Sequence, residues 1–342
     1  MIKPKKLQRG DTVAIVSLSS GLAGEEEILH RTHRGIERLE HVFGLKVKVM
    51  PHALDGLKLI YEHPEWRAED LNMAIRDPEV KAIICTIGGT DSIRLLPYID
   101  VEAIKSNPKI FSGYSDITVL HMLFYALGMT SFYGPALLPD FAENNAMDTY
   151  TVQSIEAHWF DTTPVHKVLP SETIRRHGLR WEEQNQYTSR AHIPNTPYEV
   201  INGSGIASGH LIGGCLEVLS KLRGTTLFPE HNAFDGAVLF LETSETLMPE
   251  WLLEDNLRSL AAMGILQRVN AIIIGKPQNN HYYHEYIAVW RKILKEWHLT
   301  DLPVLYNMSF GHNEPKYILP YGVLAEVNAD AGIFKIIEHG VI

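Results

Sequence analysis

The sequence predicts an α/β protein in which a parallel sheet with helices on both faces is followed by a second domain. Short β-branched runs alternate with segments of helical spacing over the first 160 residues, which favours a parallel sheet. The run at residues 82–85 is apolar at successive positions, as expected for a strand buried on both faces. Residues 161–204 lose periodicity before a second alternation of strands and helices begins.

Local signals place the elements of the first region. Apolar residues recur at helical spacing over residues 25–43, and Gly44 ends that segment. Pro64 opens the next helix, which ends before Asp77 and Pro78. The predicted strands are 12–16, 47–49, 82–85, 110–111 and 130–133, and the predicted helices are 25–43, 64–76, 92–96, 101–106, an apolar helix after residue 116, and 148–160.

The irregular stretch divides the chain into three parts. We predict a first domain at residues 1–165, a linker or substrate loop at 166–204, and a second domain at 205–342, because long structureless stretches inside compact domains are unusual. In the second domain the predicted strands are 237–242, 271–275 and 303–306, the predicted helices are 215–222, 249–263 and 283–297, and residues 324–337 alternate like a two-stranded end.

Composition argues against several classes of protein. The 342 residues are 45% hydrophobic and 21% charged, which is ordinary for a globular protein. A net charge of −10 without a basic stripe argues against nucleic-acid binding. The basic N-terminus lacks an apolar core of signal-peptide length, and no apolar run approaches the roughly 20 residues that span a bilayer. We therefore expect a cytoplasmic protein without a membrane partner, in which Cys85 and Cys215 are buried thiols.

The segment around Ser115 has the pattern of a strand, an abrupt turn and a buried helix. A serine at such a turn points its hydroxyl away from the sheet edge, beside the unpaired N–H groups of the new helix. This is the geometry that a nucleophilic serine needs. The spacing is Gly-x-Ser-Asp rather than the Gly-x-Ser-x-Gly of common hydrolases, and a helix-capping serine is the alternative.

A nucleophilic serine needs a base and a group that orients the base. His312 follows a predicted strand in a loop rich in Gly, Asn and Pro, although a solvated loop histidine is equally compatible with that position. Glu242 ends a five-residue apolar strand, as either an exposed charge or a group aimed at a site. The chain order Ser115, Glu242, His312 is the serine–acid–histidine order of α/β-hydrolases.

Other residues have a functional and a structural interpretation. Gly88 and Gly89 could bring backbone N–H groups to a developing oxyanion, or could form an ordinary tight turn. Trp181 could stack on a flat substrate group, or could pack the loop onto its domain. His281 and His284 have an i, i+3 spacing but no evident third ligand, so we expect no metal site.

Several segments together resemble the serine-peptidase family of murein LD-carboxypeptidases and microcin C immunity peptidases. The resemblance covers most of the chain and is weakest at residues 161–204. Its motifs are GYSDIT at 113–118, LLPYID at 95–100, NPK at 107–109, YGP at 133–135, HLIGG at 210–214, LET at 241–243 and GH at 311–312.

The resemblance implies a flavodoxin-like N-terminal sheet, a smaller C-terminal α/β domain, a site in the cleft between them, and a homodimer without metal or cofactor. It implies Ser115 as nucleophile, His312 as general base and Glu242 as its orienting carboxylate. The N–H of Asp116 and that of Gly88 or Gly89 would form the oxyanion hole.

Two enzymatic activities and one non-catalytic role are compatible with the resemblance. The first is cleavage of an amide or acyl-sulfamide-type link between an acidic aminoacyl group and a nucleotide, with Trp181 as a stacking surface. The second is removal of terminal D-alanine from murein peptides, and the third is a binding protein that keeps the cleft. The carboxypeptidase branch usually carries an arginine before the glycines, whereas residues 86–91 read TIGGTD, which favours the first activity.

Overall fold

The computed structural model describes residues 1–163 and 167–342, and most of its helices and strands lie where the sequence predicts them. The strands are β1 (Thr12–Val16), β2 (Lys46–Val49), β3 (Val80–Cys85), β4 (Ile110–Gly113), β5 (Phe132–Tyr133), β6 (Thr173–Arg175), β7 (His192–Pro194), β8 (Glu199–Asn202), β9 (Ile206–Cys215), β10 (Val238–Glu242), β11 (Ala271–Gly275), β12 (Val304–Met308), β13 (Leu319–Pro320), β14 (Leu324–Asn328) and β15 (Ile333–Ile336). The α-helices are α1 (Leu29–His41), α2 (Gly56–Glu62), α3 (Pro64–Arg76), α4 (Val101–Ser106), α5 (Thr118–Ala126), α6 (Thr149–Ile155), α7 (Leu216–Leu222), α8 (Glu250–Ala262) and α9 (Tyr283–Glu296). Within the described ranges, no helix is both long and apolar enough to cross a membrane.

The first sheet confirms the predicted α/β class. Five parallel strands lie in the order β2-β1-β3-β4-β5, which is the flavodoxin-like order. A sixth strand, β13, comes from the C-terminal part of the chain and pairs antiparallel with β5, Leu319 opposite Tyr133. The sequence did not predict β13, because two residues are too few to produce an alternating pattern. It connects the two halves of the molecule through backbone hydrogen bonds.

The second sheet has seven strands in the order β15-β14-β9-β10-β11-β12-β8. Strands β9 to β12 are parallel, while β14, β15 and β8 pair antiparallel at the two edges. The predicted two-stranded end is confirmed as β14 and β15. Strand β8 lies inside the segment predicted as a linker, because its four residues, EVIN, are half polar and carry no strong strand signal.

Another part of the predicted linker forms a short hairpin, β6 paired antiparallel with β7. The loop between these strands is held from both sides. Arg34 of α1 donates a hydrogen bond to the backbone oxygen of Gln186, and His177 N donates to Asn279 Oδ1 of the second domain. The predicted boundary between residues 165 and 166 lies outside the described residues.

Helix α5 brings the two domains into contact. Every residue from Thr118 to Phe124 is buried. At Gly214 on β9, an added Cβ would lie 2.6 Å from Thr118 Cγ2, so only glycine permits this approach. Cys215 N donates to Thr118 Oγ1 at 3.2 Å. The start of α5, which follows Ser115, is therefore fixed against the second sheet.

Candidate active site

The carboxyl ends of β3, β4 and β10 and the loop after β12 meet at one cavity of about 290 Å³ between the two sheets. Ligands of open α/β sheets bind at such edges. The lining includes five of the residues singled out in the sequence, namely Gly88, Gly89, Ser115, Trp181 and His312.

Ser115 occupies a strained turn at the end of β4. Its φ is +64°, in the left-handed region that non-glycine residues seldom adopt. A single 3₁₀ turn, Ser115–Ile117, separates it from α5. This is the arrangement of a nucleophile elbow, in which a sharp strand-to-helix turn projects the serine hydroxyl from the sheet edge.

His312 lies between Ser115 and Glu242 and hydrogen-bonds to both. Its Nε2 is 3.0 Å from Ser115 Oγ, and its Nδ1 is 2.7 Å from Glu242 Oε2. Both His312 and Glu242 are buried, at 6% and 1% exposure. The three side chains thus form one continuous hydrogen-bonded chain, although 197 residues separate the serine from the histidine.

Tyr133 supports this chain, and the sequence did not single it out as a site residue. Its hydroxyl donates to Glu242 Oε1, the oxygen that His312 does not use. The same hydroxyl accepts a hydrogen bond from Ser115 N at 3.3 Å. Tyr133 ends a predicted strand of the first sheet, so the rule that sites lie at carboxyl ends of strands could have found it.

Of the two candidate glycines, Gly88 packs directly against Ser115. A Cβ added at Gly88 would lie 2.8 Å from Ser115 Cβ, whereas one at Gly89 would lie 2.4 Å from Ser19 Oγ. Among the described residues neither glycine N–H donates a hydrogen bond, so both remain available to a ligand.

Asp116 has a structural role through its side chain. The buried carboxylate accepts hydrogen bonds from Ser19 Oγ at 2.6 Å and from Ser92 N at 2.7 Å. These bonds tie the turn to the loops after β1 and β3. The aspartate of the Gly-x-Ser-Asp pattern therefore holds the elbow in place, and only its backbone N–H remains a candidate for anion binding.

Glu245 is a second carboxylate next to His312 that the sequence did not predict. Its Oε2 is 2.9 Å from His312 Nε2. Burial lowers the pKa of His312, but Glu242 and Glu245 outweigh burial and raise that pKa to about 10. The close contact with His312 lowers the pKa of Glu245 to about 2. The two carboxylates therefore favour the protonated form of the imidazole.

Comparison with known proteins now identifies the family. The model of the LD-carboxypeptidase N-terminal domain matches residues 13–134, and that of the LD-carboxypeptidase C-terminal domain matches residues 208–327. The chain belongs to the LD-carboxypeptidase family of peptidases. The segment that carries Trp181 lies between the two matched regions, as the weaker resemblance there predicts.

Relatives of this chain include a self-immunity protein and a murein carboxypeptidase. The microcin C7 self-immunity protein MccF of Escherichia coli is 29% identical over 334 residues, 96% of this chain and 94% of that protein. The murein tetrapeptide carboxypeptidase of Pseudomonas aeruginosa is 24% identical over 324 residues, 92% of each chain.

Solved structures of the family share the whole fold. An MccF-like protein from Streptococcus pneumoniae in complex with AMP superposes with a TM-score of 0.89 at 32% identity, covering 96% of this chain and 99% of that one. MccF in complex with aspartyl sulfamoyl adenosine gives a TM-score of 0.87 at 28% identity, covering 100% of both chains. MccF has also been solved with glutamyl sulfamoyl guanosine.

Trp181 lies on the β6–β7 loop and lines the cavity. The guanidinium carbon of Arg31 lies 4.2 Å from the centre of its indole ring, which is a cation–π contact. Arg31 is buried and is held by the Leu138 carbonyl oxygen and by Asn144 Oδ1. The indole is thus supported from the first domain while it lines the same space as Ser115.

The other candidates of the sequence analysis contribute nothing to this cavity. Cys85 is buried in the core, as predicted, and burial raises the pKa of its thiol, which opposes nucleophilic use. His281 and His284 belong to no metal-binding cluster, and the described part of the chain holds no group of three or more His, Cys, Asp and Glu side chains that could bind a metal ion.

Proposed function

We propose that this protein is a serine hydrolase with Ser115 as nucleophile, His312 as general base and Glu242 as the carboxylate that orients the base. The observation that carries the proposal is the continuous chain of hydrogen bonds from Ser115 Oγ through His312 to Glu242 Oε2. The strained serine turn and the family membership support the same roles.

The reaction would proceed in two halves. His312 Nε2 takes the proton of Ser115 Oγ as that oxygen attacks the scissile carbonyl carbon. The leaving group departs with the proton from His312, and an acyl group remains on Ser115. Water attacks this acyl group in the second half, with His312 again as base. Glu242 holds Nδ1–H, so that Nε2 faces the serine, and stabilises the imidazolium that forms.

We place the oxyanion hole at the N–H of Asp116 and an N–H of the Gly88-Gly89 pair. Backbone N–H groups aimed at the developing oxyanion are a major source of catalysis in acyl transfer. The close packing of Gly88 against Ser115 supports this location, because it puts the glycine turn beside the reacting oxygen.

For the substrate, we propose an amide or acyl-sulfamide-type link between an acidic aminoacyl group and a nucleotide. The aspartyl and glutamyl sulfamoyl nucleosides found in MccF support this choice. Residues 86–91 carry no arginine for a terminal carboxylate. Arg190, which lines the cavity, is bonded to Glu143 and to Glu314 Oε2, so its fork is engaged by protein carboxylates.

The family resemblance also supports a homodimer, a cytoplasmic location and catalysis without a metal or cofactor. All three properties are part of the proposed function. The division into a nucleophile domain (1–165), a substrate loop (166–204) and a domain that supplies Glu242 and His312 (205–342) belongs to it as well.

A substrate panel tests the proposal. Purified protein should hydrolyse aspartyl sulfamoyl adenosine with a higher kcat/KM than a murein L,D-tetrapeptide, with products identified by mass spectrometry. The Pseudomonas aeruginosa relative makes murein cleavage the second candidate. A preference for the tetrapeptide would replace the nucleotide substrate by the murein peptide and leave the three catalytic roles standing.

Replacement of Trp181 by alanine should raise KM for the nucleotide substrate about tenfold, because stacking of a base on an aromatic ring contributes ~1–3 kcal/mol. The kcat should change little, since the indole is proposed to contact the base and not the bond that breaks. Trp181→Phe, which retains an aromatic ring, is the matched control and should keep most of the affinity. An unchanged KM in Trp181→Ala would assign the indole to packing of the loop.

A further inference from the structure

Glu245 places a third ionisable group at the reacting centre. It lies in the loop after β10, three residues beyond Glu242, and lines the cavity. Its side chain is 58% exposed, whereas His312 is buried. Glu245 Oε2 contacts His312 Nε2 at 2.9 Å, and this nitrogen is the atom that faces Ser115 Oγ at 3.0 Å.

The contact between Glu245 and His312 opposes the first step of catalysis. Nδ1–H is donated to Glu242, and a carboxylate 2.9 Å from Nε2 favours the imidazolium, which carries a proton on Nε2 as well. A nitrogen that already carries a proton cannot accept the one from Ser115. The Glu245 carboxylate must therefore leave Nε2, or meet another cation, before acylation.

Two other groups in the described part of the cavity lining can carry a positive charge, Arg190 and His177, and both face protein carboxylates. Glu143 and Glu314 engage Arg190, and His177 Nε2 lies 2.8 Å from Glu314 Oε2. A cation for Glu245 would then come with the substrate. The two contacts of Nε2, 2.9 Å and 3.0 Å long, put Glu245 Oε2 within about 6 Å of Ser115 Oγ.

An α-ammonium group of the substrate can reach this position. Its nitrogen lies about 2.5 Å from the carbonyl carbon of the same residue, given standard bond lengths and angles. That carbon must approach Ser115 Oγ to roughly 3–3.5 Å for attack. The ammonium nitrogen then lies within about 6 Å of Ser115 Oγ. The distance from Glu245 Oε2 to Ser115 Oγ has the same upper bound.

We infer that Glu245 binds the α-ammonium group of the residue whose carbonyl is attacked, so that aminoacyl nucleotides are preferred over peptidyl nucleotides, whose corresponding nitrogen is an uncharged amide. The inference rests on the proposed hydrolase function. Binding of the substrate moves Glu245 from His312 to the ammonium group. The proton on Nε2 passes to bulk water, and the neutral imidazole can then accept the proton of Ser115.

The test measures kcat/KM for two substrates with each of three forms of the protein. The substrates are aspartyl sulfamoyl adenosine and its N-acetyl derivative, and the forms are wild type, Glu245→Gln and Glu250→Gln. Glu250 is an exposed carboxylate at the start of α8 and serves as the matched control. Wild type and Glu250→Gln should prefer the free amine by about tenfold or more in kcat/KM, as expected for a charge-assisted hydrogen bond. Glu245→Gln should bring the ratio close to one.

A pH profile separates substrate binding from a purely structural role. The ionisable groups around the His312–Glu245 pair are Glu242, Tyr114, His177, Glu314 and Lys316. Glu245→Gln removes one of the carboxylates that raise the His312 pKa, so this pKa should fall. The acid limb of kcat/KM for the acetylated substrate should therefore move to lower pH. If Glu245 had only a structural role, the substitution would lower kcat/KM equally for both substrates and would leave the acid limb where it is in wild type.

The outcomes are distinct. An amine preference that survives in Glu245→Gln, or an equal loss for both substrates, overturns the inference and leaves the proposed function intact. A further outcome is that the wild type cleaves neither substrate while a fluorophosphonate still labels Ser115. That result would overturn both the proposed nucleotide substrate and the proposed role of Glu245, and would leave Ser115 as the reactive serine.

Discussion

Replacement of Ser115 by alanine should abolish turnover of the nucleotide substrate while the protein remains folded. The alanine keeps the Cβ that packs against Gly88 but removes the oxygen that lies 3.0 Å from His312 Nε2. Loss of the nucleophile in other serine triads lowers kcat by about 10⁶, and what remains comes from binding and the oxyanion hole. Steady-state kinetics on the panel substrates measures this loss, with circular dichroism to monitor the fold.

Ser20→Ala is the matched control for Ser115→Ala, since Ser20 lines the same cavity and its hydroxyl only accepts a 3.3 Å hydrogen bond from Leu22 N. This variant should retain most of the activity. A fluorophosphonate should label wild type and Ser20→Ala at Ser115 and should leave Ser115→Ala unlabelled. Near-normal turnover in Ser115→Ala would exclude Ser115 as the nucleophile.

The sequence predicted the parts of the site that depend on short-range signals. A serine at a strand-to-helix turn, a carboxylate at the end of an apolar strand and a histidine in a loop after a strand are all local patterns. Because the carboxyl ends of parallel strands lie at one edge of each sheet, these patterns converge on one cleft. The sheet order and the domain contact at Gly214 then bring Ser115, Glu242 and His312 within hydrogen-bonding distance.

Other features depend on contacts between distant segments, which a single sequence does not reveal. The Tyr133 hydroxyl reaches Glu242 across 109 residues, and the Trp181 loop is placed by Arg31 of α1. Glu245 has no pattern of its own, because an exposed glutamate in a loop is an ordinary observation. Its position becomes informative only when the distance to His312 Nε2 is known.

Replacement of Glu242 by glutamine should lower kcat by about 10⁴, as in another triad whose carboxylate was changed to an amide. An amide can donate to Nδ1 and so favour the tautomer with a proton on Nε2, which cannot accept the proton of Ser115. Tyr133 can still bond to the side chain, so the expected loss is catalytic rather than structural. Glu242→Asp, which retains the charge on a shorter side chain, should recover part of the activity.

The pH dependence of these forms gives the second part of this prediction. The pH dependence of kcat/KM reports the groups of the free enzyme, and the pKa of His312 is raised to about 10. Wild-type kcat/KM should therefore keep rising with pH above neutrality and fall as the imidazole becomes protonated. Loss of the Glu242 charge lowers the His312 pKa, so the acid limb of Glu242→Gln should lie at lower pH than that of wild type or Glu242→Asp. The measurement is kcat/KM from pH 5 to pH 10 with chemistry shown to be rate-limiting. Coincident acid limbs in wild type and Glu242→Gln would contradict the assignment of His312 as a base oriented by Glu242.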